Sequence, residues 1–215
     1  MEKPKPDFSF QNKETREEVA DASDFTGQAV VVYTNGDTYD GGFVEGKKSG
    51  QGTYTHADGS VFEGNYSEDK KSGIGKTVYP NGSYYHGMYS EDQRDGEGLF
   101  VYENKDRYSG FWKAGLKHGQ GTYILSKQAM KLKGAWEDGR FVQGDWVLEN
   151  GCRFRGKFEN GKPIGPGAWL IEEAMYEGEY LQKNATVQKI DALEKIKNKE
   201  LLQQEESLQT EWVWA

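Results

Sequence analysis

The chain of 215 residues carries 27 Lys+Arg against 35 Asp+Glu, a formal charge of −8. That balance argues against wrapping nucleic acid, where affinity comes from neutralising phosphates, and against strong adhesion to anionic lipid. A hydrophobic share of 35% is too low for a thick aliphatic core, while an aromatic share of 13% is too high for a chain unable to bury enough surface to fold.

In chain order, residues 1–23 are polar and charge-mixed, with Phe8 and Phe10 as their rings. Such composition predicts a flexible N-terminal segment that orders only on a partner. Met1 to Pro6 contain no apolar signal run, and no apolar run reaches the ~20 residues that span a bilayer. The single cysteine, Cys152, excludes an internal disulfide and points to a reducing compartment, the cytosol.

From residue 24 to 180 the chain repeats. An aromatic-x-Gly-x-aromatic motif occurs at Tyr39-Gly41-Phe43, Phe62-Gly64-Tyr66, Tyr85-Gly87-Tyr89 and Tyr108-Gly110-Trp112. It continues at Leu132-Gly134-Trp136, Phe154-Gly156-Phe158 and Tyr176-Gly178-Tyr180, with steps of 22 to 24 residues. A Gly-x-Gly-x-aromatic motif runs in phase, as in Gly50-Gly52-Tyr54 and Gly96-Gly98-Phe100; the fifth unit has Val142 at its first glycine. A degenerate copy, Gly27-x-Ala29-x-Val31, stands one period upstream.

Side chains at i, i+2 and i+4 of a strand share a face, so each motif presents gaps among large rings. Glycines on one strand then receive rings from the next. Asn35-Gly36, Asp58-Gly59, Asn81-Gly82 and Asn150-Gly151 fall at one phase and predict type I′ hairpins. Charged stretches such as Glu68-Asp69-Lys70-Lys71 are expected to form the longer joint. The predicted fold is all-β: one elongated antiparallel meander of about seven hairpin units, roughly 65–70 Å long at ~10 Å per unit.

The off-motif face is mostly polar but carries Met88, Leu99, Phe111 and Ile124 in its middle, a candidate docking patch. Residues 181–215 change character. Val187, Ile190, Leu193, Leu201, Leu202 and Leu208 form one stripe at 100° per residue, which predicts a short helix. That helix either caps the array or docks on another subunit, with Trp212 and Trp214 as its anchor.

Little in the sequence points to bond chemistry. Gly73-Ile74-Gly75-Lys76-Thr77 resembles the end of a phosphate loop, but Lys70 stands where the first glycine belongs. His56, His86 and His118 occupy different repeat phases and miss zinc spacing. The expectation is a non-enzyme without cofactor or metal.

The repeated Tyr-x-Gly-x-Trp/Tyr/Phe and Gly-x-Gly-x-Tyr motifs resemble MORN repeats over about residues 25–180. Gly156-Lys157-Phe158, continuing to Pro163-Ile164-Gly165-Pro166-Gly167, is similar to a stretch that ends the array in the radial spoke head MORN family. The resemblance implies a scaffolding subunit of the radial spoke head in the axoneme of motile cilia and flagella. It implies other spoke head subunits as partners, a homodimer within a paired spoke head, and neither nucleic acid nor membrane. The alternative is a MORN scaffold that tethers membrane or cytoskeleton outside the axoneme, with Lys47-Lys48, Lys70-Lys71 and Lys127-Lys131-Lys133 as its basic clusters.

Overall fold

The computed structural model describes residues 8–19, 21–182 and 210–214. It forms one antiparallel sheet in which sixteen strands follow each other in chain order. The strands are β1 (Phe8–Asn12), β2 (Gly27–Tyr33), β3 (Thr38–Val44), β4 (Lys47–Thr55), β5 (Val61–Ser67), β6 (Lys70–Val78), β7 (Tyr84–Ser90) and β8 (Gln93–Val101). They continue as β9 (Arg107–Lys113), β10 (Leu116–Leu125), β11 (Met130–Glu137), β12 (Arg140–Val147), β13 (Arg153–Glu159), β14 (Lys162–Ile171), β15 (Ala174–Gln182) and β16 (Thr210–Trp214). At ~4.8 Å per strand the sheet measures roughly 70 Å across its strands.

Register explains the motif. Gly41 pairs with Gly52, Gly52 with Gly64, Gly64 with Gly75, and Gly75 with Gly87. The row begins at Ala29 and continues strand by strand to Gly178. Directly paired residues share a face, so this is a bare glycine spine crossing the whole repeat array. One ring per unit lies on it: Tyr39, Phe62, Tyr85, Tyr108 and Phe154 are each fully buried. A Cβ added at Gly52 would stand 2.4 Å from the Tyr39 hydroxyl.

A second ring row locks the first. Tyr39, Phe62, Tyr85 and Tyr108 each meet two rings edge-on at 5.1–5.3 Å, one from their own unit and one from the next. Such pairs contribute ~0.5–1.5 kcal/mol each beyond their area. In the fifth unit Leu132 replaces the ring. Phe141 restores continuity, 5.2 Å from Trp136 and 4.7 Å from Phe158. A single sheet layer thus builds its core on one face from rings and absent side chains.

Three expectations are corrected. The first concerns the first glycine of each pair, which receives no ring. Gly50 takes φ +74° with nothing within 4 Å of its missing Cβ, and the register slips there, between Gly41 and Phe43 on the partner strand. It is a bulge glycine, which needs the left-handed conformation that bulges impose.

The second correction exchanges the two turn classes. At Asn35-Gly36 only the glycine has positive φ, +89°. The Gly36 N–H donates to the Tyr33 carbonyl at 3.0 Å, and the Asn35 side chain accepts from the Asp37 N–H at 3.0 Å. This is a type I turn closed by a left-handed residue, and Asn is there for its Asx hydrogen bond. The tight two-residue turns are the charged ones. Glu68 and Asp69 both have positive φ (+50° and +70°), between the paired residues Ser67 and Lys70.

The third correction concerns the chain ends. Phe8–Asn12 is a strand paired with β2, and Phe10 is buried 5.0 Å from both Phe25 and Phe43. The supposedly flexible segment therefore begins the ring row. At the other end, Leu181 and Gln182 belong to β15, and Thr210–Trp214 pair with it as β16. Apart from Thr210, the expected helix lies outside the described residues. Trp212 and Trp214 enter by their backbones, opposite Tyr180 and Gly178.

Candidate interaction surface

Residues flanking each spine glycine point away from the rings, so the outer face is built from two rows, one on each side of the spine. In the middle of the array the first row carries Ile74, Met88, Glu97 and Phe111. Ile74 pairs directly with Met88, and Glu97 with Phe111. Ile74, Met88 and Phe111 are 60%, 38% and 43% exposed. The second row carries Lys76, His86, Leu99 and Ser109, again in direct register.

Two hollows follow the spine between these rows. One, of about 550 Å³, has Gly87, Gly98 and Gly110 as its floor with Met88 and Phe111 on its wall. The other, of about 660 Å³, has Gly64 and Gly75 as its floor and Leu99 on its wall. Ile74 and His86 line both. The structure therefore gathers Met88, Leu99 and Phe111, as the off-motif pattern predicts. Ile124 stands apart, in a third row between Arg107 and Lys131. Ile74 was hidden inside the Gly73–Thr77 stretch, which is an ordinary part of strand β6; its off-motif phase, shared with Met88, was the available signal.

The ring face carries a different feature that the motif search missed. Lys48, Lys71, Arg94 and Lys117 pair with Phe43, Tyr66, Tyr89 and Trp112. Their heads lie over rings, with Lys71 4.7 Å from Phe62, Arg94 4.4 Å from Trp112 and Lys117 4.5 Å from Trp136. Burial pushes the Lys71 and Lys117 ammoniums below the usual lysine pKa, and it raises the Tyr108 phenol to about 12. The Asp37 carboxyl is held below its ordinary pKa by the Ala57 N–H and then by the Tyr54 hydroxyl, which donate at 2.8 Å each. Asp106 accepts equivalent bonds from Ser126 and Tyr123. Where the unit has Phe100 in place of this tyrosine, the acid is replaced by Ser83.

Two of the three lysine clusters expected at a lipid surface, Lys47-Lys48 and Lys70-Lys71, are engaged. Lys47 and Lys70 are ion-paired with Glu68 and Glu91 of the following turn. Asp69 and Asp92 accept from the Lys48 and Lys71 N–H groups at 2.9 and 2.8 Å. Among the described residues, no group of His, Cys, Asp and Glu is arranged to hold a metal ion.

Residues 39–61, 62–84, 85–107 and 108–130 each match the family model of the MORN repeat. The four matched segments run without a gap over residues 39–130. Each holds one ring-capped cation, whereas Phe141 and Pro163 occupy that register position in the two units that follow. In these four segments the cation accompanies the glycine spine and its ring. Comparison with curated proteins finds no match. Among solved structures, the chain is similar to the TCP domain of SAS-4 (dCPAP) from Drosophila melanogaster, solved with a proline-rich motif of Ana2 (dSTIL). Identity is 13% and the TM-score 0.46, over 75% of this chain and 87% of that one. It is also similar to the G-box domain of the microcephaly protein CPAP, at 10% identity and TM-score 0.39, over 71% of this chain and 80% of that one.

Proposed function

We propose that the chain is a non-catalytic structural subunit of the radial spoke head in motile cilia and flagella, most like radial spoke head protein 1. MORN repeats suggest a scaffold role in protein interaction, and the outer face supports it: a stiff sheet displays exposed Ile74, Met88 and Phe111 along one side of the spine. The observation that carries the axonemal reading is the stretch Gly156–Gly167, which resembles the end of the spoke head array. It forms the end of β13, the tight turn at Asn160-Gly161 and the start of β14, where Pro163 opposes Phe158. Other spoke head subunits are the proposed partners. The mechanism is positioning: the spine keeps contact rows at fixed ~10 Å intervals.

A tagged chain expressed in ciliated cells tests this assignment. The expected result is recovery in detergent-extracted axonemes, released together with spoke head subunits. Recovery in the membrane fraction, or in cytoplasm with none on axonemes, contradicts it.

A further inference from the structure

We propose that the outer-face groove binds a polyproline II segment of a partner protein, with prolines at every third residue and a Lys or Arg that meets Glu97. The proposal rests on the scaffold reading above and names the chemistry of its partner.

Width selects the backbone. The groove walls are residues two apart along each strand, so their Cα atoms stand only ~6.6 Å apart. An α-helix with its side chains is ~10–12 Å across and rests on the rims without reaching the floor. A single extended backbone fits between them.

Period selects the conformation. Met88 and Phe111, each just after a spine glycine, stand at equivalent wall positions two strands apart, ~9.6 Å. One turn of polyproline II takes three residues and advances ~9.3 Å, returning each third side chain to the same side. A β-strand covers the same distance in three residues but turns its third side chain to the opposite face. Only the polyproline II form keeps step with the units across β6 to β9.

Wall chemistry agrees. Ile74, Met88 and Phe111 offer apolar contacts for pyrrolidine rings along one side, all substantially exposed. On the other side His86 and Ser109 offer polar groups to a backbone whose carbonyls have no internal partners. Glu97 is the acidic residue lining the hollow between Met88 and Phe111, and it makes no ion pair among the described residues. A cation on the segment supplies one, as charge complementarity requires. A segment already in polyproline II form loses little entropy on docking.

Fluorescence anisotropy of the full chain with three labelled synthetic peptides tests the proposal. The first has three Pro-Ala-Lys triplets, the second three Gly-Ala-Lys triplets, and the third is an amphipathic Leu/Lys helix of equal charge. The proline peptide is expected to bind at least tenfold more tightly than either control. Phe111→Ser and Met88→Glu should each weaken it at least tenfold, and Glu97→Lys at least fivefold, with far-UV circular dichroism unchanged. These side chains are exposed, and Ile74→Thr serves as a milder fourth variant. Equal binding of the glycine or helical peptide, no binding of the proline peptide, or binding indifferent to these variants overturns the proposal. If native partners still cross-link to this face in that event, the groove assignment fails and the scaffold reading stands; loss of axonemal recovery is the failure of the latter.

Discussion

Gly98→Ala is expected to destabilise the chain by about 3 kcal/mol or more, the upper end of the overpacking range. The added Cβ would lie 2.3 Å from the Tyr85 hydroxyl and 2.5 Å from two of its ring carbons. That ring cannot step aside. It is fully buried, flanked edge-on by Tyr89 at 5.2 Å and Trp112 at 5.3 Å, and its hydroxyl donates to the Met88 carbonyl at 3.0 Å. Gly50→Ala provides the contrast. It meets open space and costs only the ~1–2 kcal/mol of a left-handed alanine. Urea midpoints of the two variants check this ordering. Equal losses, or a larger loss at Gly50, would mean that the second glycine of each pair is no seat for a ring.

Trp112→Ala is the second large effect, expected at about 3–5 kcal/mol. Trp112 stacks edge-on with Tyr85 and Tyr108 at 5.3 and 5.2 Å, donates from Nε1 to the Gly98 carbonyl at 3.3 Å, and carries the Arg94 guanidinium 4.4 Å from its ring centre. Its removal opens a void between two units and strips Arg94 of its platform. Because a repeat array is held by neighbour contacts, the loss should be local. Hydrogen exchange should accelerate in β7 to β10 and stay unchanged in β2 to β4. Uniform acceleration along the sheet, or a loss below 1 kcal/mol, contradicts the ring-ladder account.

The ring–glycine period made the sheet legible, because period-two spacing leaves few alternatives for a chain so rich in glycine and aromatics. Turn class was misjudged for a chemical reason. Asn-Gly suits two different turns, and the choice at Asn35-Gly36 is made by the Asx bond to Asp37, which sequence spacing does not distinguish. Glu45-Gly46, Asp138-Gly139 and Asn160-Gly161 share the phase of Glu68-Asp69 and held the missing signal, since all eight residues have positive φ. Phe8 and Phe10 escaped because β1 has rings but no glycine. The cations escaped because Lys48 and Lys71 sit in charged runs, where an exposed role is the usual reading; only the register shows them folded back over rings. The shared outer-face position of Met88, Leu99 and Phe111 was legible. Ile124 shares their face but lies outside both rows that flank the spine, a distinction that depends on pairing register.

These features form one argument. Removing side chains along a spine lets one layer of strands bury its rings on one side. The other side needs no cover of its own, and the proposed scaffold role assigns it to a partner. The most direct test places a photo-cross-linking residue at 88 or 111 on the outer face, and at 54 or 91 on the ring face and turn edge, in chains assembled into native axonemes. The account predicts that cross-links to other subunits arise from positions 88 and 111. Cross-links confined to positions 54 and 91 would show that partners read the rings or the turns, and that the bare side of the spine is not the working surface.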